Sequence, residues 1–334
     1  MRRLVVRAPN WLGDAVMALP ALESVRRHFP DAHLTIAAKA SLAPLFEERL
    51  ACRPDAVLPL HAGGEAAQLR AGAFDAVLLL TNSFGSGWVA RRSGIAERWG
   101  YRASGRRWLL TRAVPRPRRV HQSDYYRELV RRLFEPGASP GGGTIAHPLI
   151  DVRPESRARG ARLLEAAGVP ADALVVGFAP GAAYGEAKRW PPSRVADVVA
   201  HLAREGVTGV LVGAADDRDT GRAVQSSLPA GVNVVNLIGR TDLRALAGVL
   251  ARCRAFVSND SGAMHLAAAI GVPVTAIFGP TDERATAPLG PHDLIVRDVF
   301  CRPCMLRDCP IDHRCMRRID AVSVAASVDR HLGR

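Results

Sequence analysis

Three short stretches of the chain carry residue types that can act on a phosphate or a hydroxyl. The first is Asn10-Trp11-Leu12-Gly13-Asp14, which joins an apolar run at Leu4-Val5-Val6 to a helical pattern. A glycine there lets backbone approach a ligand, and a carboxylate at a helix start is held ionised by the helix dipole, the state a general base needs. An ordinary preference of aspartate for helix starts accounts for Asp14 as well. The second stretch, Gly177 to Pro191 (GFAPGAAYGEAKRWP), is a glycine-rich loop with Gly181 in its bend and Lys188 just before a helix. Of the 45 basic residues only Lys39 and Lys188 are lysines, all the others being arginines. A compact ammonium in such a loop suits negative charge developing on a phosphate oxygen, with chance survival of one lysine as the alternative. The third is Asp260-Ser261-Gly262-Ala263-Met264-His265, where the N–H groups opening a small-residue helix form a phosphate cradle, or simply a capped helix with a structural histidine.

Two other clusters compete for attention. Cys301, Cys304, Cys309 and Cys315, with His313 between, are spaced for a structural zinc or iron-sulfur staple, although they match neither common pattern; free thiols or disulfides are the other readings. Seven arginines between Arg102 and Arg119 (102, 106, 107, 112, 116, 118 and 119) occur without an acidic residue. They suit either a solvated loop or contact with a polyanionic acceptor or an anionic membrane face. Gly85-Ser86-Gly87-Trp88-Val89-Ala90 approximates a dinucleotide fingerprint, but it starts too far from its strand, and no acid follows at the required distance.

These residues need a scaffold, and 334 residues with 48% hydrophobic and 23% charged content supply two domains with a core each, excluding a disordered chain. A net charge of +13 favours anionic partners, while 5% aromatic content and the lack of a recognisable module set nucleic acid aside. The opening segment is interrupted by Asn10 and Asp14 and so lacks a signal-peptide core, and no apolar run reaches the roughly 18 residues that span a bilayer. The expectation is a cytoplasmic protein, with its clustered cysteines in a reducing compartment.

Strand patterns at Leu4–Val6, Leu34–Ala37, Ala56–Leu60 and Ala76–Leu80 alternate with helical stretches, and Pro20 is expected to kink the first helix. After the Pro/Gly-rich run Pro136 to Pro148, the series begins again with strands at Leu174–Phe178, Gly209–Val212, Asn233–Asn236, Ala255–Ser258 and Val274–Phe278. Helices are expected at Ser193–Arg204, Asp217–Leu228, Leu243–Ala251 and Ser261–Ile270. The fold class is therefore α/β, with two doubly wound domains, 1–143 and 144–334, facing a central cleft where the carboxyl ends of both sheets meet.

The GD turn after the first strand, the Ala187-Lys188-Arg189-Trp190-Pro191 segment, the D-S-G-x-x-H loop and Phe278-Gly279-Pro280-Thr281 occur in that order over nearly the whole chain. In this the sequence resembles the ADP-heptose:lipopolysaccharide heptosyltransferases of glycosyltransferase family 9. The wording of Thr81-Asn82-Ser83-Phe84 and of PGAAYGEAKRW is most similar to the heptosyltransferase II branch, which adds the second inner-core heptose. The resemblance implies a GT-B fold of two Rossmann-like domains, the first binding acceptor and the second nucleotide sugar, and an inverting transfer that requires no cofactor. It implies Asp14 as general base and Lys188 as the cation neutralising the leaving diphosphate. Gly181, Asp217, Asp260, Ser261, Gly262 and His265 fall on the donor side, with Asp216 competing for the place of Asp217. Asn10, Asn82, Ser83 and Arg98 fall on the acceptor side. The implied partners are ADP-heptose, a lipid A-core acceptor bearing Kdo or heptose, and the anionic inner face of the membrane, in peripheral contact. The family's hydroxyl residues just upstream of the lysine are replaced here by Ala183 and Tyr184. Two readings stay open beside it: another nucleotide-sugar transferase of this fold, and a non-catalytic basic protein that binds nucleotides or polyanions.

Overall fold

The structure is a computed structural model and describes residues 1–135, 137 and 149–334. The chain divides into two compact units, Met1–Asp151 and Val152–Arg334. The boundary expected between 143 and 144 lies outside the described residues.

The first unit is built on a six-stranded parallel sheet: β1 Arg3–Arg7, β2 His33–Lys39, β3 Ala56–Leu60, β4 Ala76–Leu79, β5 Glu97–Tyr101 and β6 Arg112–Val114, in the order β3-β2-β1-β4-β5-β6. Val5 is in register with Thr35 on one side and Val77 on the other. Central strands of such a sheet are covered on both faces, so β1 and β4 read as unbroken apolar runs rather than alternating ones. After β1 come α1 Leu12–Met17 and α2 Leu19–His28, which meet at Ala18. The expected kink is thus a break between two helices, and Pro20 stands in the first turn of α2, where its missing N–H leaves no bond unmade. Helix α3, Phe84–Arg92, follows β4, and α4, Gln122–Phe134, buries Tyr126, Leu129, Val130 and Leu133. The dinucleotide-like Gly85–Ala90 run lies within α3, which agrees with setting that motif aside.

The second unit repeats the plan with β7 Val175–Ala179, β8 Thr208–Leu211, β9 Val235–Asn236, β10 Ala255–Asn259, β11 Val274–Phe278 and β12 His292–Val296, ordered β9-β8-β7-β10-β11-β12 and parallel throughout. Its principal helices here are α5 Pro192–Arg204, α6 Gly262–Ile270 and α7 Ala321–Leu332. Its core joins Val176, Phe178, Trp190, Val199, Val257, Met316 and Val328. Both sheets therefore have the doubly wound strand order, reversing direction beside β1 in one and beside β7 in the other. Loops leaving the carboxyl ends of strands at such a reversal are where open α/β sheets bind ligands. The loops after β1, β4, β7 and β10 are those; the last three carry Asn82, Lys188 and Asp260, and the first leads into the helix turn that carries Asp14.

Candidate active site

In the second unit the loop after β7 is held from below by Asn259, the last residue of β10. Its amide Nδ2 donates to the carbonyls of Pro180 (2.8 Å) and Gly181 (3.3 Å), and its Oδ1 accepts the Trp190 N–H at 3.3 Å. One buried side chain thereby closes both arms of the loop. Trp190 is anchored in turn, its indole donating to the Ile319 carbonyl at 3.1 Å. Lys188 then projects from a short 3₁₀ turn, Glu186–Lys188, with its Nζ 2.6 Å from Asp260 Oδ2. The same oxygen accepts the Thr281 hydroxyl at 2.8 Å. Both members of the ion pair are nearly enclosed, the Lys188 side chain being 11% exposed and that of Asp260 8%. The resemblance assigns Lys188 and Asp260 to the same donor; the structure adds that they hold each other.

Ser261 caps α6, its hydroxyl accepting the Met264 N–H at 3.4 Å and lying 3.0 Å from Ser258 Oγ. Gly262 and Ala263 supply the first N–H groups of α6, which have no acceptor within the helix. His265 is buried on the same helix. Asp217 lies at the opposite side of the loop, buried, with Oδ2 accepting the Ala214 N–H at 3.0 Å. A Cβ on Gly181 would come within 2.1 Å of the Asp217 carboxyl carbon, so any larger residue there requires the Asp217 side chain to move. Asp217 thus caps its own turn and packs under the loop, whereas Asp216 is exposed.

In the first unit Asp14 is half-buried in the first turn of α1 and accepts a hydrogen bond from the Tyr126 hydroxyl at 3.1 Å. Burial, and next the Asp14 charge, push the Tyr126 phenol above its ordinary range, so it remains a hydrogen-bond donor at physiological pH. Arg7, buried at the end of β1, donates to Asn10 Oδ1 (3.0 Å), Glu65 Oε1 (3.3 Å) and the Ala8 carbonyl (2.8 Å), which fixes the loop leading to Asp14. Asn82 accepts from Arg106 at 3.5 Å and donates to the Tyr125 hydroxyl at 2.9 Å; Ser83 caps α3 by accepting the Ser86 N–H.

Two expectations about arginine change. Arg98, placed on the acceptor side, is buried in β5 and spends its guanidinium on the carbonyls of Leu109 (2.8 Å), Ile95 (2.6 Å) and Ala96 (2.8 Å). These bonds use Nε and Nη1 to join strand to loop, so only the two Nη2 N–H groups of this buried side chain stand outside them. Arg106, counted with the basic segment, is fully buried and donates to the Tyr101 carbonyl and the Ser86 hydroxyl, and desolvation pulls its pKa down to about 10. Arg112 lies over Trp99 and Phe134. Arg102, Arg107, Arg116, Arg118 and Arg119 are exposed, as is the ring pair Phe84 and Trp108.

A carboxylate with an attached phenol, and separately an ammonium with a carboxylate and free helix N–H groups, are parts suited to deprotonating a hydroxyl and to receiving a diphosphate. A family model described as "Glycosyltransferase family 9 (heptosyltransferase)" matches residues 66–314, well over half the chain. The chain belongs to glycosyltransferase family 9. It is 29% identical over 309 residues to lipooligosaccharide heptosyltransferase 2 of Haemophilus influenzae, and 29% identical over 310 residues to lipopolysaccharide heptosyltransferase 2 of Escherichia coli, with 88% of each chain covered in both. Among solved structures, that of the E. coli ADP-heptose LPS heptosyltransferase II matches with a TM-score of 0.82 at 26% identity, covering 99% of this chain and 98% of that one.

Around the candidate residues of this family 9 glycosyltransferase the structure gathers three that the motifs did not single out. Asn259 falls between the expected strand Ala255–Ser258 and the loop that starts at Asp260; Thr281 stood in the quoted FGPT run with no role; Tyr126 lies 112 positions from Asp14 and gave no signal at all. The metal staple is not supported. Among the described residues no group of three or more His, Cys, Asp or Glu side chains is arranged to hold a metal ion. Cys315 is buried in the apolar core, Cys309 Sγ accepts the His313 N–H at 3.3 Å, and all four cysteines are free. No helix among the described residues is long and apolar enough to cross a membrane.

Proposed function

We propose that this glycosyltransferase moves L-glycero-D-manno-heptose from ADP-heptose to the inner core of lipopolysaccharide, adding the second heptose with inversion at the anomeric carbon. The observation that carries the reading is the Lys188–Asp260–Thr281 cluster beside the open N–H groups of α6, at the strand reversal of the second sheet. The near full-length similarity to heptosyltransferase 2 proteins supports the choice of donor and acceptor.

In this reading an acceptor hydroxyl attacks the anomeric carbon while Asp14 takes its proton. The bond between that carbon and the β-phosphate oxygen breaks on the opposite face, and ADP departs with the electron pair. Tyr126 keeps the Asp14 carboxylate turned to one direction through the hydrogen bond to Oδ1. Charge accumulating on the β-phosphate is offset by the Lys188 ammonium and by the N–H groups of Gly262 and Ala263, aligned before the charge develops. Lys188 is shared between Asp260 and phosphate, so Asp260 orients the ammonium while Thr281 holds the same carboxylate oxygen in place. Gly181, Asp217 and Ser261 shape the loop that receives the nucleotide, and His265 packs behind it. Asn10, Asn82 and Ser83 are assigned to acceptor binding in this scheme.

The exposed arginines of segment 102–119, with the exposed rings Phe84, Trp88 and Trp108 of the same unit, suit peripheral contact with an anionic membrane surface in which the acceptor is embedded. Asp14→Ala tests the division of labour. It should abolish transfer while ADP binding, measured by calorimetry, stays within about twofold, a difference of about 0.4 kcal/mol. Parallel loss of both would make Asp14 a structural residue and remove the general base from the scheme.

A further inference from the structure

The Lys188 loop is backed by a second segment, the stretch after β12 that carries the cysteines. The Arg307 carbonyl accepts the Ala187 N–H at 2.9 Å, and the Tyr184 hydroxyl donates to the Met305 carbonyl at 2.9 Å. A Cβ on Gly185 would come within 2.4 Å of the Arg307 oxygen, so the two backbones touch. The far side of the segment is tied down as well. Met305 N–H bonds the Pro280 carbonyl at 2.9 Å, and Arg302 donates to the carbonyls of Gly279 (2.8 Å) and Thr281 (3.2 Å) while pairing with Glu283. The main chain at Arg307 is therefore fixed against the catalytic loop, independently of its side chain.

That side chain has an unusual position. The Arg307 guanidinium lies 5.1 Å from the centre of the Tyr184 ring, and the Lys188 Nζ lies 4.6 Å from the same centre. Both are within the range of a cation–π contact, which offsets part of the repulsion between two like charges brought to one ring. Neighbouring cations have carboxylates: Lys188 has Asp260, Arg189 has Glu186, Arg302 has Glu283 and Arg314 has Asp312. Among the described residues Arg307 pairs with none, although it is exposed and lies beside the loop expected to hold a diphosphate. A bifurcated, permanently charged donor suits phosphate oxygens, and an anion shared by Arg307 and Lys188 would relieve the repulsion that the ring only moderates.

Resting on the reading of a nucleoside-diphosphate sugar as donor, we infer that Arg307 is a second cation for the terminal phosphate, and that Tyr184 is the positioning residue that sets it beside Lys188.

The test compares ADP with AMP, whose only difference is the terminal phosphate, by calorimetry on the full chain. Arg307→Gln should weaken ADP about tenfold and leave AMP unchanged, and Arg307→Lys should restore part of the loss. Tyr184→Phe, which keeps the ring, should hold the ADP/AMP ratio near that of the parent, whereas Tyr184→Leu should lower it. In turnover assays Arg307→Gln should raise the donor KM more than it lowers kcat. An unchanged ADP/AMP ratio in Arg307→Gln, or an equal weakening of ADP and AMP, would overturn the inference, the second result meaning a general disturbance of the loop. Failure of the parent protein to consume ADP-heptose would instead overturn the functional reading, while the ADP and AMP comparison would still decide whether Arg307 reads a terminal phosphate.

Discussion

Lys188→Ala, alone and combined with Asp260→Asn, separates what the ion pair does for folding from what the ammonium does for chemistry. The pair is short, at 2.6 Å, and about nine-tenths enclosed on both sides. Removing only the lysine leaves the Asp260 carboxylate enclosed with the Thr281 hydroxyl as its remaining side-chain partner. Breaking an enclosed pair from one side costs about 3–5 kcal/mol, because a buried charge is left uncompensated. For a unit of this size each kcal/mol moves Tm by about 2–4 °C, so a fall of about 10 °C is expected. Neutralising the carboxylate as well, in Lys188→Ala/Asp260→Asn, removes that charge and should return most of the lost Tm. Turnover should behave differently. A cation lost from a developing phosphate charge costs about 2–4 kcal/mol in the transition state, or about 30- to 1,000-fold in kcat, and the double variant should recover none of it. Thermal unfolding and transfer from labelled ADP-heptose are measured on the same preparations. If the double variant regains turnover together with stability, Lys188 is a structural partner of Asp260, and the proposed neutralisation of the leaving group is wrong.

Three further outcomes follow from other contacts. Tyr126→Phe deletes the hydroxyl that orients Asp14 and should lower kcat about tenfold with donor KM unchanged; an unaltered kcat would show that the carboxylate needs no such guide. Glu128 is held down to about 2, from an ordinary 4.5, first by the hydrogen bond from Arg131 and also by Arg132, so its stabilisation is complete above pH 4.5 and is lost as pH falls toward 2. Denaturant titrations should therefore show Glu128→Gln losing less stability than the parent over that interval, and identical slopes would remove the pair from the account. Replacing Arg116, Arg118 and Arg119 by glutamine should weaken binding to vesicles containing anionic phospholipid, with a smaller effect at high salt; binding that is equally strong in both proteins would return the segment to a solvated loop.

Much of the donor site is legible in the sequence because its chemistry is local. Lys188 sits in a glycine-rich loop directly after an apolar run, and Asp260 to Gly262 join a buried strand to a helix, so spacing alone puts them at the carboxyl ends of strands. The halves of the fold were readable for the same reason: parallel strands such as Val175–Ala179 and Val274–Phe278 are buried throughout and almost free of polar residues, Thr275 being the exception. The strand Glu97–Tyr101 escaped notice because two of its five residues are charged, Arg98 being buried only by virtue of three carbonyls contributed by neighbouring segments. The same physics hid Arg106 within a run of arginines: composition gives seven equal charges, and only tertiary packing decides that one of them is fully enclosed. Contacts spanning long separations, such as Tyr126 with Asp14, or Arg307 with the loop at Ala187, leave no local periodicity to read. The cysteines mislead in the opposite way, since close spacing along the chain suggested convergence on a metal that their arrangement does not provide.

The central claim is the transfer itself, and it is tested most directly by incubating the protein with ADP-heptose and core acceptors carrying either no heptose or one heptose, then weighing the products. The account predicts a mass gain of a single heptose on the acceptor that already bears one, with ADP released in equal amount. Unchanged acceptor masses in both mixtures, with donor intact, would contradict it.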